Sequence, residues 1–176
     1  MRALAEGRHA AARAGLDAIL AVGREAGDPG TDEAWWALRH RVALASGDED
    51  ERYEVLDHCR QRAWVHGDLA WRGRLALLLA RLGRTDEAGR EVEACAAACL
   101  AVAPAGRDRA WLDATTDVAE AAAALGATAP AGRLADALAV VPDGNVVLAG
   151  TEAAKGPLSR YLSLVAGAGA PLARAG

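Results

Sequence analysis

Three carboxylates recur along one predicted helix, with Asp113, Asp117 and Glu120 at positions i, i+4 and i+7. Residues at these spacings share one face of an α-helix. Three interpretations of this face remain open. Paired carboxylates can act as general acid and base in catalysis. The same face can instead contact a ligand or partner, or it can simply be a solvated surface opposite Trp111.

The cysteines and histidines offer weaker chemistry. Cys95 and Cys99 lie four residues apart, which is a possible spacing for two metal ligands, but no second pair with ligand spacing accompanies them. His58 and Cys59 are neighbours in the chain, so they diverge by about 100 degrees around a helix and do not favour a Cys–His dyad. We therefore predict buried structural thiols, no metal site, no cofactor and no catalytic residue.

The composition indicates what must position these residues. Ala supplies 46 of 176 residues, there is no Phe, and the length suits one domain over residues 1–176. Because Ala is the best helix former and a small core residue, we expect closely packed helices and exclude a β-sandwich or barrel. The net charge of −4 does not favour nucleic-acid binding.

The expected setting is the cytoplasm of a bacterium. Three cysteines without a framework spacing are typical of reduced thiols, and 19 Arg against one Lys suggests a GC-rich gene. Charged residues interrupt the N-terminal segment, which argues against a signal peptide. The longest uncharged runs are too short to span a bilayer, so no membrane association is expected.

Turn signals divide the chain into helical segments. Gly-centred or Pro-centred breaks follow residues 25, 46, 65, 82, 103, 125 and 140. Thr31 is predicted to cap the second helix. The only β-like run, Val146-Val147-Leu148, is expected to be too short to form a strand. The predicted helices cover residues 3–25, 31–46, 48–65, 69–82, 85–103, 108–125, 130–140 and 157–166.

An internal repeat of 36 residues organises these helices. The shift superimposes Trp35 on Trp71, Gly47 on Gly83 and Cys59 on Cys95. Each copy contains an early Trp, a Gly turn and a second helix, which is the unit of a tetratricopeptide array. A longer third unit begins at Trp111, and the helix after Pro157 provides a half-unit. We predict an all-α solenoid of antiparallel helix pairs, with about three and a half repeats.

Stacking of such units also predicts a binding face. The first helices would line the concave side and bring Arg41, Arg74 and Arg81 beside the acidic residues. The terminal helix has apolar residues at too many angles for one buried stripe, which suggests a contact with a partner or a second copy. The predicted partner- or ligand-binding residues are Arg41, Arg74, Arg81, Trp111, Asp113, Asp117, Glu120 and Leu162.

Longer stretches of the chain resemble a known family. Residues 75–88 (LALLLARLGRTDEA), 106–112 (GRDRAWL), 119–126 (AEAAAALG) and 156–164 (GPLSRYLSL) resemble the tetratricopeptide region of large bacterial ATP-binding signalling regulators of the LuxR-type and adenylate-cyclase-linked kinds. The resemblance covers about residues 70–165. No Gly-x-x-x-x-Gly-Lys loop is present, and Ser163 stands where the family pattern has Gly. The resemblance therefore implies the helical array, without nucleotide or DNA chemistry.

Two functions follow as hypotheses. The first is a non-catalytic scaffold that binds a protein or peptide through the concave groove and a terminal helix face, with a homodimer as one form of this contact. The alternative is a small-molecule-binding protein or enzyme with a pocket on the concave face. An open trough would favour the first function, whereas a closed pocket with converging Arg and acidic groups would favour the second.

Overall fold

The computed structural model describes residues 2–151 and 153–169. Within them, a π-helical turn occupies Gln61–Val65 and a 3-10 turn occupies Pro104–Gly106. The helices are α1 (Arg2–Ala5), α2 (His9–Glu25), α3 (Thr31–Ser46), α4 (Glu49–Arg60), α5 (Leu69–Arg81), α6 (Thr85–Ala101), α7 (Arg109–Leu125), α8 (Thr128–Ala139) and α9 (Leu158–Gly169). Two strands, β1 (Asn145–Val147) and β2 (Ala154–Pro157), separate α8 from α9. The predicted all-α class is confirmed, with one small hairpin added.

Glycines in the left-handed region end several helices where the sequence predicts turns. Gly47 has φ 74° after α3, and Gly83 has φ 70° between α5 and α6. Because Gly has no Cβ, it adopts this conformation without steric cost. Asp48 caps α4 and Asp108 caps α7, and each accepts a hydrogen bond from the backbone N–H three residues further along the chain. The predicted turns at Gly47 and Gly83 are confirmed.

Other predicted boundaries are wrong in detail. Gly7 has φ 70° and divides the opening helix into α1 and α2. Thr31 does not cap α3, since it is already the first helical residue and its side chain packs against Gly23. The final helix continues through Gly167 to Gly169, beyond the predicted end at residue 166, because its apolar face packs on α8 and α7. The remaining Gly- and Pro-containing tail, 170–176, lies outside the described residues.

The expectation that residues 146–148 form no strand is also wrong. β1 pairs antiparallel with β2, with Val146 opposite Gly156 and a register irregularity after Val146. Val146 and Leu148 are fully buried. Tertiary burial therefore stabilises a strand of three residues that local sequence alone does not support.

Helices α5 and α7 form the centre of the fold. They pack so closely that a Cβ on Gly73 would lie 2.7 Å from the carbonyl oxygen of Ala114. All residues of α7 from 113 to 122 are buried, since α5, α6, α8 and α9 surround this helix. Leu79 in α5 is 1% exposed and belongs to the apolar core.

The apolar residues of the terminal helix α9 pack against other helices of the chain. Leu158, Tyr161 and Val165 are buried against α7 and α8, and Leu162 is partly buried against the same core. Residues of this chain therefore cover three of the apolar side chains of α9, and a further contact of α9 with a partner stays a prediction. Within residues 2–151 and 153–169, no helix combines the length and the apolar character that crossing a membrane requires.

Candidate functional site

The hairpin of residues 145–157 lies across α5 and α7 and completes a charged cluster. The side chain of Arg74 donates a hydrogen bond to the carbonyl oxygen of Ala149 at 3.0 Å, and the Ala149 N–H donates to Asp113 Oδ2 at 3.1 Å. Leu148 is buried among apolar residues of α3, α4 and α5. The hairpin is thus attached to the helices by both polar and apolar contacts.

Lys155 of β2 is the centre of the cluster. Its ammonium group lies 2.6 Å from Asp113 Oδ1 and 2.6 Å from Asp117 Oδ1, and it donates at 3.1 Å to Thr116 Oγ1 and to the Asp113 carbonyl oxygen. Burial disfavours the ammonium ion, but the attraction of Asp117 and Asp113 outweighs burial and raises the pKa of Lys155. This buried lysine therefore stays charged and joins the hairpin to α7.

Arg74 forms a second buried connection. It is 1% exposed, pairs with Asp113 at 2.8 Å and lies 4.3 Å above the ring of Trp71. The carbonyl oxygen of Arg74 accepts from Nε2 of His40 at 3.2 Å, so the neutral His40 ring carries its proton on Nε2. Burial, together with Arg41, Arg74 and Lys155, holds the pKa of His40 well below its usual value.

The outer part of the cluster is more accessible. Arg81 pairs with Glu120 at 2.8 Å, and Arg160 of α9 approaches the same carboxylate at 3.4 Å. Burial opposes ionisation of Glu120, yet Arg160, Arg81 and Arg41 together lower the pKa of Glu120. Arg41 stands apart, because its Nη1 lies 3.7 Å from Asp117 Oδ1 and has no hydrogen-bond partner within the described part of the chain.

These side chains border a pocket of about 290 Å³, which we call the charged pocket. Its lining residues are Leu4, Arg41, Leu44, Ala45, Arg81, Glu120, Ala154 and Lys155. The surrounding cluster contains five cations (Arg41, Arg74, Arg81, Lys155 and Arg160) and three carboxylates (Asp113, Asp117 and Glu120). It therefore carries a formal excess of two positive charges, in a chain whose net charge is −4.

Two further polar atoms beside this pocket have unused hydrogen-bonding capacity. Asp117 Oδ2 and the hydroxyl of Tyr161 are buried and, among the described residues, have no hydrogen-bond partner. Tyr161 lies close to Lys155 and Arg160, with their charged groups 5.7 and 4.9 Å from its ring. Buried polar groups are normally paired, so these two atoms give the cluster capacity for a further polar contact.

The structure brings six of the eight predicted site residues together. Arg41, Arg74, Arg81, Asp113, Asp117 and Glu120 all belong to the charged cluster. The alternative interpretation of a solvated acidic face is wrong, because Asp113 and Asp117 are 0% exposed and Glu120 is 6% exposed. The hairpin and the neighbouring helices cover the acidic face of α7.

The other two predicted residues lie elsewhere. Trp111 is buried near the start of α7 and donates its indole N–H to the carbonyl oxygen of Cys99 at 2.9 Å. Leu162 packs on the core beside α8. Sequence analysis missed Lys155, Tyr161 and Arg160; the one available signal was that Lys155 is the single lysine among 19 arginines.

The cysteines are structural. Cys59, Cys95 and Cys99 are all free thiols with 0% exposure, as predicted. Burial raises the pKa of Cys59 to about 12. Among the described residues, no group of three or more His, Cys, Asp or Glu side chains could hold a metal ion.

The fold and the cluster define a class: an all-α helical protein with a buried charged cluster closed by a hairpin. Comparison with known proteins adds no relative, since the chain matches no protein-family model, no curated protein and no solved structure.

Proposed function

We propose that the chain is a non-catalytic binding module of tetratricopeptide-like helix pairs, and that the charged pocket binds a small anionic ligand. The observation that carries this proposal is the convergence of Arg41, Arg81 and Lys155 on a pocket with an excess of positive charge. The pocket approaches the size of ordinary small-molecule sites, which begin at about 300 Å³. Because the hairpin covers the face that an open groove would present, the geometry favours a small ligand over an extended peptide.

The arrangement supports binding more than catalysis. Asp113 is held by Arg74 and Lys155, and Asp117 is held by Lys155. These ion pairs engage both aspartates within the protein, and neither aspartate lines the charged pocket. Arg41, by contrast, lines the pocket with a planar guanidinium group, and this shape suits recognition of a carboxylate or phosphate.

Calorimetric titration with butyrate and with inorganic phosphate, at constant ionic strength, tests this proposal. We expect saturable binding of at least one of them to the unmodified chain, and loss of that binding in Arg41→Gln and in Arg81→Gln. Arg133→Gln is the matched control, because Arg133 is exposed and its ion pair in the described part of the chain is with exposed Glu93. Absence of saturable binding by either anion, or equal binding by Arg41→Gln and Arg133→Gln, would refute the proposal.

A second candidate is the scaffold function, with a second copy of the chain as partner. The specific observation is that α2 exposes large apolar side chains, with Ile19 53% and Val22 66% exposed. A helix at the end of a repeat array needs a polar outer face or a neighbour. Sedimentation velocity over a concentration series should then show a dimer that Val22→Glu disrupts. A monomer at all concentrations would remove this candidate.

A further inference from the structure

A second pocket adjoins the charged pocket and differs from it in chemistry. It encloses about 340 Å³ between α1, α2, α3 and the hairpin, and we call it the apolar pocket. Its lining includes Leu4, Leu16, Ile19, Leu38 and Val42. Leu4 also lines the charged pocket, and Ala153 of the apolar pocket precedes Ala154 of the charged pocket. The two pockets therefore share Leu4 and border the same hairpin.

Helix α3 contributes lining residues to both pockets. Leu38, Arg41, Val42 and Ala45 stand at positions i, i+3, i+4 and i+7, so they share one face of the helix. Leu38 and Val42 line the apolar pocket, whereas Arg41 and Ala45 line the charged pocket. Arg41 thus lies at the boundary, with apolar surface on one side and the charged cluster on the other.

Arg41 is also the cation with the most capacity for a ligand. Lys155 and Arg74 are within 2.6 to 2.8 Å of carboxylates, and Arg81 is 2.8 Å from Glu120. Arg41 comes no closer than 3.7 Å to Asp117, and its Nη1 makes no hydrogen bond to the described residues. Nη1 is itself buried, whereas the Arg41 side chain as a whole is 15% exposed, so a carboxylate would reach the guanidinium from its exposed part. It would add a charge opposite to the local excess.

From this geometry we infer that the ligand is an aliphatic monocarboxylate. Its carboxylate binds Arg41 at the mouth of the charged pocket, and its chain extends past Leu4 into the apolar pocket. The inference rests on the proposed function and specifies the class of anion. A second charged group at the far end of the chain would be placed among Leu16, Leu38 and Val42, where burial of a charge is unfavourable.

Chain length provides the first test. Calorimetric titration compares butyrate, hexanoate and octanoate, all below their micelle concentrations, with 1-octanol as the probe that lacks a carboxylate. Each added methylene should tighten binding about fourfold, which corresponds to about 0.8 kcal/mol of buried apolar surface. Octanol should bind much more weakly than octanoate. Equal affinities for butyrate and octanoate would overturn the inference.

A substitution that fills the apolar pocket provides the second test. Gly15 lines this pocket from within α2, and a Cβ there would meet no atom within 4 Å. Gly15→Leu should therefore keep the fold, and it should abolish the dependence on chain length while butyrate still binds. The matched control is Gly132→Leu, another exposed helical glycine with no atom within 4 Å, which should bind octanoate normally.

The outcomes separate the two proposals. If short anions bind in an Arg41-dependent manner but affinity does not rise with chain length, the charged pocket remains a binding site and the inference of an aliphatic ligand is wrong. If no carboxylate of any length binds, and phosphate does not bind either, the proposed function itself fails. If Gly15→Leu and Gly132→Leu weaken octanoate binding equally, the chain of the ligand does not occupy the apolar pocket.

Discussion

Replacement of Lys155 by methionine should destabilise the protein far more than the loss of a surface charge. Methionine matches the length of the lysine stem but removes the ammonium group, which lies 2.6 Å from both Asp113 and Asp117. Removing one partner of a buried ion pair typically costs about 3–5 kcal/mol, because the remaining charge is left without compensation. A domain of this kind is stable by only about 5–15 kcal/mol, so the loss is a large part of the total.

Lys155→Met should affect the carboxylates of Asp113 and Asp117 to different extents. Asp113 retains Arg74 at 2.8 Å and the Ala149 N–H at 3.1 Å. Among the described residues, the cation that Asp117 retains is Arg41, at 3.7 Å. Most of the cost should therefore arise at Asp117, and the double variant Lys155→Met/Asp117→Asn should recover about 1–3 kcal/mol relative to Lys155→Met alone.

Urea unfolding followed by tryptophan fluorescence measures these differences, with the m-value as a check on the cooperativity of the transition. Arg133→Met is the control, since its pair with Glu93 is exposed and worth at most about 1 kcal/mol. If Lys155→Met does not fold, recovery of a folded protein by Asp117→Asn carries the same information. If Lys155→Met lowers the free energy of unfolding no more than Arg133→Met does, the conclusion that Lys155 stabilises a buried cluster is wrong.

Three further predictions concern other parts of the fold. Gly73→Ala should destabilise the protein by about 1–3 kcal/mol in urea unfolding, because its Cβ would meet the Ala114 backbone at 2.7 Å, whereas exposed Gly132→Ala should stabilise it by up to about 1 kcal/mol. The pKa of His40 is lowered in the folded state, so the unfolded state binds more protons at acidic pH. As the pH is lowered past about 6.5, the free energy of unfolding should decrease by up to about 1.4 kcal/mol per pH unit. His40→Leu should flatten that slope. Burial raises the pKa of Cys59 to about 12, so iodoacetamide should alkylate this thiol in urea but not in the native protein, and native labelling at an equal rate would contradict its burial.

Local signals made the helices predictable. Asp48, Asp68 and Asp108 each begin a helix by accepting hydrogen bonds from its first backbone N–H groups, and glycines with positive φ end the segments before Asp48 and Asp68. These effects act within a few residues, so they are visible in the sequence. Thr31 is an exception to these local rules. Its residue type is suited to an N-cap, but its side chain packs against Gly23 instead.

The site was predictable only in part, for a related reason. The i, i+4, i+7 spacing places Asp113, Asp117 and Glu120 on one face, and periodicity aligns them with arginines of α3 and α5. Lys155 lies 38 residues beyond Asp117, on a strand whose formation depends on tertiary burial. No local rule predicts that contact. Burial of Asp113 and Asp117 depends on the same hairpin, which explains why the acidic face could be taken for a solvated one.

The hairpin also gives an energetic reason to favour the small-ligand hypothesis over the peptide hypothesis. An extended peptide that used the face of α5 and α7 would have to displace β2 and separate Lys155 from Asp113 and Asp117. If that separation costs about 3 kcal/mol or more, it weakens peptide binding by more than about a hundredfold before any new contact is made. A small anion that enters beside Arg41 leaves those ion pairs intact and incurs no such cost. We therefore expect a small ligand rather than a peptide at this face.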